Sequence, residues 1–224
     1  MIKQLKMGFK MLRYAHGIKT CVMWMVVVLL FGMLLEWSAS GENVFLNQMG
    51  LYFVMMIAIW PHQLLVSLNV PKVVAASPWK KKIQTSVMAL VSCVAFLFAY
   101  ILVIVIEAVK LAKQMTLEED FTFFVIWAAV FAGVLMVYMA FSAKYFVVST
   151  IGFVFFMQVL SCVVSIRTYT DIAIFHMSMH PALTILTGAL IIVAGGLLEY
   201  GVSLLLYKVP VSKYAQMNSL RKKM

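Results

Sequence analysis

The sequence predicts an all-α integral membrane protein with six transmembrane helices and with both termini in the cytoplasm. Hydrophobic residues make up 64% of the 224 residues and charged residues only 12%, whereas soluble domains are about half apolar and about a quarter charged. The apolar residues are grouped in six stretches, and a helix needs roughly twenty such residues to cross a bilayer. The basic residues are concentrated in one set of connections between these stretches, which indicates the orientation.

The charge distribution separates the two sides of the membrane. Of the 18 Lys and Arg residues, all but Lys110, Lys113 and Arg167 fall at one set of loop ends, where no acidic residue joins them. Cytoplasmic loops collect Lys and Arg, so this set is predicted to be cytoplasmic. The basic residues of that set are Lys3, Lys6, Lys10, Arg13, Lys19, Lys72, Lys80, Lys81, Lys82, Lys144, Lys208, Lys213, Arg221, Lys222 and Lys223.

The predicted spans are 20–37, 44–65, 83–106, 121–141, 145–166 and 182–206. Each must be helical, because backbone polar groups in lipid have to be hydrogen-bonded within their own segment. The net charge of +10 is divided among short connections, where attraction to anionic lipid explains it. We therefore expect membrane lipid as a partner and no nucleic acid, and we expect a multi-pass protein of a cell membrane, specifically a bacterial plasma membrane.

The N-terminal residues 1–19 are predicted to form an amphipathic helix on the membrane surface. Basic residues recur there at steps of three and four, and apolar residues repeat on another face, as in helices that lie in the interface. The basic set is Lys3, Lys6, Lys10 and Arg13, and the apolar set is Ile2, Leu5, Phe9 and Leu12. At the other end, residues 207–224 are predicted to be a basic cytoplasmic tail.

Motifs for catalysis and metal binding are missing. Without a Gly-x-x-x-x-Gly-Lys-Ser/Thr loop, the chain is not expected to hydrolyse ATP by that route. Ser92 and Ser161 have no flanking nucleophile motif and no evident histidine on a neighbouring span, which disfavours an intramembrane hydrolase. His176 and His180 are four residues apart, but two ligands do not complete a metal site. We expect no catalytic residue and no metal.

The cysteines, Cys21, Cys93 and Cys162, lie inside spans and are expected to be packing residues.

Glu199 is the ionisable residue predicted at membrane depth, and such a residue is costly and often functional. It follows Gly195 and Gly196, so the backbone of the sixth span can approach a neighbouring helix closely. One interpretation is a contact that lines a pathway or a subunit interface. The other is a carboxylate near the cytoplasmic interface that reaches headgroups or pairs with a lysine. His62, near the inner end of the second span, is expected to be interfacial.

The connection between the second and third spans, about 66–82, is the longest on the cytoplasmic side. Its first part is compatible with a short helix, Ser77-Pro78 interrupts it, and Trp79 followed by three lysines leads into the third span. Together with the N-terminal surface helix and the polar stretch between the last two spans, this layout resembles the transmembrane subunits of ATP-binding-cassette type-2 exporters. The resemblance covers nearly the whole chain. The match to the family's Leu-Pro-x-Ser-Arg/Lys pattern is partial, since Lys80 stands where the family has a hydroxyl.

The resemblance implies a non-catalytic permease subunit that moves an amphipathic or hydrophobic cargo, such as a peptide, drug or lipid-like molecule. A separate cassette ATPase would bind ATP and magnesium, and this chain would bind no cofactor. A second permease copy or a paralogue would complete a homodimer or heterodimer. The family's extracellular element would fall on Arg167 to Pro181. The ATPase-coupling loop carried over by position comprises Leu68, Val70, Pro71, Lys72, Ser77, Pro78, Trp79, Lys80, Lys81 and Lys82.

Two other classes stay open from the sequence. A secondary transporter or channel would need no ATPase, and it predicts polar or broken helices and paired repeats, which the sequence does not reveal. A non-transporting immunity or assembly factor would bind its partner through the basic connections.

Overall fold

The structure, a computed structural model, describes Lys6, residues 8–10, Leu12, and residues 18–38, 44–68, 79–169, 178–210 and 212. No strand occurs in these parts of the chain, and six of their helical segments are long and apolar enough to cross a membrane. The predictions of an all-helical fold and of six helices long and apolar enough to cross a membrane are therefore confirmed for the described residues.

Between residues 18 and 206 the described residues form seven helices, which we number in chain order. Each predicted span corresponds to one of them, except that the second span is divided between two. The helices are α1 (Ile18–Ser38), α2 (Val44–Met56), α3 (Ile59–Leu68), α4 (Lys80–Ala112), α5 (Glu118–Ser142), α6 (Phe146–Tyr169) and α7 (Pro181–Leu206).

The second and third predicted spans differ most from the observed helices. The second span is interrupted by a turn at Ile57 and Ala58, which separates α2 from α3. The third span was predicted to end at residue 106, but α4 continues to Ala112 and therefore contains Glu107 and Lys110. The sequence prediction ended this span at its first charged residue, whereas in the structure the two charges are paired inside the bundle. A π-helical turn, Ile83–Val87, lies near the start of α4.

The core lies between α2, α4, α5 and α7, and consists mainly of Phe, Met, Ala and β-branched side chains. Helices α5 and α7 come close together at Gly133 and Gly195, where a Cβ on Gly195 would lie 2.9 Å from the Gly133 Cα. By contrast, α1 and α6 pack on the outside and leave most of their apolar side chains exposed. In a membrane these two faces would meet lipid or another apolar surface.

The bundle has two chemically different ends. We call the end that holds Lys80–Lys82, Lys144 and Lys208 the Lys-rich end, and the end that holds Glu36, Glu107 and residues 118–120 the opposite end. The described N-terminal residues are helical and lie at the Lys-rich end, where Gly8 packs against Val87 and Val91.

Parts of the predicted surface helix and tail can be placed. Gly8 is buried and Leu12 packs beside it, whereas Phe9 and the two neighbouring lysines are exposed. The face of this N-terminal segment that packs on the bundle therefore contains Gly8 rather than Phe9. The other residues of 1–17 lie outside the described residues, as do residue 211 and residues 213–224 of the tail.

Candidate functional site

A buried polar cluster joins three helices near the Lys-rich end. Ser92 Oγ on α4 donates a hydrogen bond of 3.1 Å to Glu199 Oε1 on α7. His62 Nδ1 on α3 lies 3.3 Å from the same hydroxyl and 3.4 Å from the same carboxylate oxygen. Ser92 and Glu199 are fully buried and His62 is 2% exposed. Glu199 therefore has no lysine partner among the described residues, and both it and His62 are enclosed by the bundle. The expectation that His62 lies at the level of the membrane interface stays a prediction.

The break in the second span positions His62. The amides of Ala58 and Trp60 bond to carbonyls three residues earlier, at 3.2 and 3.3 Å, so the chain tightens between α2 and α3. Pro61 then falls in the first turn of α3, where its missing N–H removes no intrahelical bond. His62 follows directly, which turns its ring toward α4 and α7.

A glycine allows the carboxylate to reach this cluster. A Cβ on Gly196 would lie 3.2 Å from the side chain of Cys93, so α7 and α4 are in close contact one turn before Glu199. Gly195 makes the corresponding approach to α5. Both glycines lie in contacts between helices of this chain, which accounts for them without a second subunit.

A narrow cleft connects this cluster with the Lys-rich end. His62, Gln84, Lys144 and Ser203 provide its polar lining, and the remaining walls are apolar. Lys144 Nζ donates to the Val209 carbonyl oxygen at 2.7 Å and to Gln84 Oε1 at 3.3 Å. Partial burial, and to a smaller extent the charge of Lys80, lower the pKa of Lys144 from 10.5 to about 8. Neither of its two partners is a carboxylate.

The cluster contains Ser, His and Glu but lacks the geometry of a hydrolase. In a catalytic triad one imidazole nitrogen faces the serine and the other faces the acid. Here Nδ1 faces both Ser92 and Glu199, and Nε2 has no hydrogen-bond partner among the described residues. The expectation that Ser92 has no neighbouring histidine is wrong, but the arrangement still does not support nucleophilic catalysis.

A second buried polar cluster lies at the opposite end. Lys110 Nζ donates to Glu107 Oε1 and to Asn47 Oδ1, both at 2.8 Å. Glu36 on α1 interacts electrostatically with Glu107 and Lys110 and is fully buried. A Cβ on Gly50 would collide with the backbone of Glu36, so α1 and α2 touch at this level. The cluster holds two carboxyl groups and one ammonium group, none of which is exposed.

The coupling loop predicted from the resemblance is only partly described. Leu68 is the last residue of α3, and Trp79 precedes the helical turn Lys80–Lys82 that begins α4. Lys82 Nζ lies 5.0 Å from the Trp79 ring centroid, and Lys81 Nζ lies 5.1 Å from that of Tyr207. The remaining predicted contacts, Val70, Pro71, Lys72, Ser77 and Pro78, lie outside the described residues.

Metal ligation finds no support in the described parts of the chain, where no group of three or more His, Cys, Asp or Glu residues converges. His180 Nδ1 accepts a hydrogen bond from the Ala182 amide at 3.3 Å and so caps α7. His176 and most of the polar stretch before the last span are outside the described residues.

Comparison of the chain with protein-family models, with curated proteins and with solved structures found no match. The resemblance to type-2 exporters therefore rests on layout, namely six spans and a basic connection after the second.

Proposed function

We propose that this chain is the permease subunit of an ATP-binding-cassette exporter in a cell membrane, with its Lys-rich end in the cytoplasm. A separate ATPase subunit would dock on the segment from Leu68 to Lys82 and would supply the energy of ATP hydrolysis. The observation that carries the proposal is the continuity of α4, which begins inside this segment and runs without a break to the opposite end of the bundle.

The length of α4 favours a mechanical role. Its 33 residues span about 50 Å at about 1.5 Å per residue, whereas the hydrocarbon is about 30 Å thick. A displacement applied at Lys80–Lys82 would therefore be carried through the whole bundle. The π-helical turn Ile83–Val87 lies where this helix enters the bundle, and such turns are frequent at functional sites.

The surface at the start of α4 suits an acidic partner. Lys80, Lys81 and Lys82 follow one another, and Trp79 is 50% exposed. Tryptophan is enriched among the residues that anchor protein interfaces, and the three lysines would attract acidic side chains of a partner. The exposed apolar faces of α1 and α6 would be available to a second permease copy and to lipid.

The cargo is proposed to be amphipathic or hydrophobic. Apart from the two buried clusters, the helices contribute mainly apolar side chains. A strongly charged cargo would find few polar partners between these helices, whereas a hydrophobic peptide or lipid-like molecule would be accommodated by flexible Met side chains.

The test is affinity purification of the tagged chain in mild detergent, followed by mass spectrometry of co-purifying proteins. We expect a cassette ATPase in stoichiometric amount, and we expect the triple reversal Lys80→Glu, Lys81→Glu, Lys82→Glu to reduce its recovery to background. Lys208→Glu, a charge reversal at the same end, is the control and should retain the ATPase. Absence of an ATPase from the wild-type preparation in two detergents would refute the proposal.

A second candidate is a proton-coupled secondary transporter, which the broken second span and the two buried ionisable clusters favour. Discontinuous helices and ionisable groups at membrane depth are typical of such transporters. The chain alone, reconstituted in liposomes with an imposed pH gradient and no nucleotide, would then accumulate a labelled hydrophobic peptide. Uptake that persists after an ionophore collapses the gradient would exclude this candidate.

A further inference from the structure

We propose that His62, Ser92 and Glu199 form a proton-binding relay that exchanges protons with water through the cleft at the Lys-rich end. The proposal concerns a site within the bundle and does not depend on which protein or gradient drives transport. It rests on the positions of the two imidazole nitrogens and on the cleft that His62 lines.

The Ser92 hydroxyl links His62 to Glu199 by two hydrogen bonds, beside a longer direct contact of 3.4 Å between His62 Nδ1 and Glu199 Oε1. With its proton on Nδ1, His62 can donate to Ser92 Oγ at 3.3 Å, and Ser92 donates in turn to Glu199 Oε1 at 3.1 Å. Uptake begins when hydronium protonates Nε2. The Nδ1 proton then passes to Ser92 while the Ser92 hydroxyl proton passes to the carboxylate. One proton is gained in total, only N–H and O–H bonds change, and release follows the same steps in reverse.

The free nitrogen of the ring is the entry point. Nε2 has no hydrogen-bond partner among the described residues, although His62 is 98% buried and lines the cleft. A buried ring nitrogen without a partner is costly, and a small movement of the side chains that line the cleft would bring a water molecule to it. Imidazole is also the side chain best suited to gain and lose a proton near neutral pH.

The size of the cleft favours water over a larger ligand. The centre of a water-sized molecule can occupy about 20 Å³ of it, which corresponds to about one ordered water. Drug-sized molecules need pockets of about 300 Å³ or more. The ligand that the site can accept in this conformation is therefore a proton delivered by water.

Other polar or titratable groups surround the relay. On α4 these are Gln84, which is polar and neutral, and the Cys93 thiol, which lies within electrostatic range of Glu199. On α7 Ser203 lines the cleft, and α5 contributes only apolar side chains there. Lys144, itself influenced by Lys80, is the cation on the cleft wall. Its pKa of about 8 requires a Lys144→Gln control in any pH series.

The experiment uses the full chain in lipid nanodiscs with ¹⁵N-labelled histidine, and the ring signals are followed from about pH 8 to about pH 5. His62→Gln identifies the His62 signals among the four histidines. We expect His62 to gain a proton reversibly, and Glu199→Gln to alter both its Nδ1 signal and its protonation profile. Lys144→Gln should leave reversible protonation in place.

Access through the cleft is tested by filling it. Ala143→Leu, in the cleft lining, should slow exchange of the His62 ring proton with water by about tenfold or more, as expected for a barrier about 1.4 kcal/mol higher. The matched control is Ala108→Leu, which enlarges an exposed alanine at the opposite end and should leave the rate unchanged.

Three results would overturn the proposal: a His62 ring that keeps one protonation state across the series, a signal indifferent to Glu199→Gln, or equal exchange rates in the filled and control variants. If Glu199→Gln does not fold, Ser92→Ala replaces it. That variant removes only the bridging hydroxyl, so it should slow proton transfer between the His62 ring and the Glu199 carboxylate. An unchanged exchange rate in Ser92→Ala would also count against the relay.

Discussion

The contact between α5 and α7 can be tested by adding a single methyl group at Gly195. A Cβ there would lie 2.9 Å from the Gly133 Cα and 3.2 Å from Met136 Sδ. Met136 is flexible and can move, but Gly133 Cα belongs to the backbone of a long helix. Gly195→Ala must therefore push two helices apart over part of their length.

The cost can be estimated by comparison with Gly201 on the same helix, where an added Cβ would meet no atom within 4 Å. Both substitutions gain the helix propensity of alanine, about 1 kcal/mol, so this contribution cancels in the difference. What remains is the overpacking at Gly195, typically about 1–3 kcal/mol. For a chain of 224 residues, each kcal/mol corresponds to about 2–4 °C in Tm. Gly195→Ala should thus melt about 2–12 °C below Gly201→Ala.

The assay is thermal unfolding of both variants and the wild type in one detergent, followed by circular dichroism and by thiol labelling of the partly buried Cys21 and Cys93. Gly196→Ala provides an intermediate case, because its Cβ would meet the Cys93 side chain at 3.2 Å rather than a backbone atom. We expect the order of Tm to be Gly201→Ala, then Gly196→Ala, then Gly195→Ala.

Equal melting temperatures for Gly195→Ala and Gly201→Ala would refute the reasoning. They would mean that α5 and α7 are not in backbone contact at Gly195, and the position of Glu199, one turn further along α7, would then lose its support.

The remaining predictions concern charged side chains. Lys110→Met should lower the free energy of unfolding by about 3–5 kcal/mol, because it leaves the buried Glu107 carboxylate unpaired; adding Glu107→Gln should recover part of the loss in the same melting assay. Since the folded pKa of Lys144 is about 8, below its ordinary 10.5, the unfolded chain binds more protons between these values. Stability should therefore rise with pH across that window, and Lys144→Gln should flatten the rise in a pH series of Tm. Arg167→Lys should destabilise by about 0.5–2 kcal/mol, because its guanidinium lies 4.1 Å from the Phe123 ring centroid; an unchanged Tm would contradict that contact.

Residue type and order were sufficient to predict the spans. The ends of α1 and α7 differ from the predicted spans by at most two residues, because in both cases the ends of the apolar stretch are close to the ends of the helix. The third span was predicted too short because a charge was taken as its end. Glu107 and Lys110 are three residues apart, a spacing that places them on one helical face, and this signal could have indicated a pair inside the helix.

The site was only partly predictable. Glu199 was identified because a carboxylate deep in an apolar stretch is unusual. His62 and Ser92 were not joined to it, because they are 30 residues apart and Ser92 is 107 residues from Glu199. The break at Ile57 and Ala58 was also missed, since neither residue is a glycine or proline and Pro61 follows it by three residues.

Residue order alone was enough to predict six helices long and apolar enough to cross a membrane, and to separate Lys-rich from acidic connections. Hydrophobicity and charge act on each segment separately, so these properties can be read without knowing which helices touch. Helix packing, by contrast, brings His62, Ser92 and Glu199 together, places Glu36 beside Glu107 and Lys110, and explains Gly195 and Gly196 by contacts within the chain. Those outcomes depend on how α3, α4, α5 and α7 pack, and helix packing is set by the shapes of surfaces that are distant in sequence.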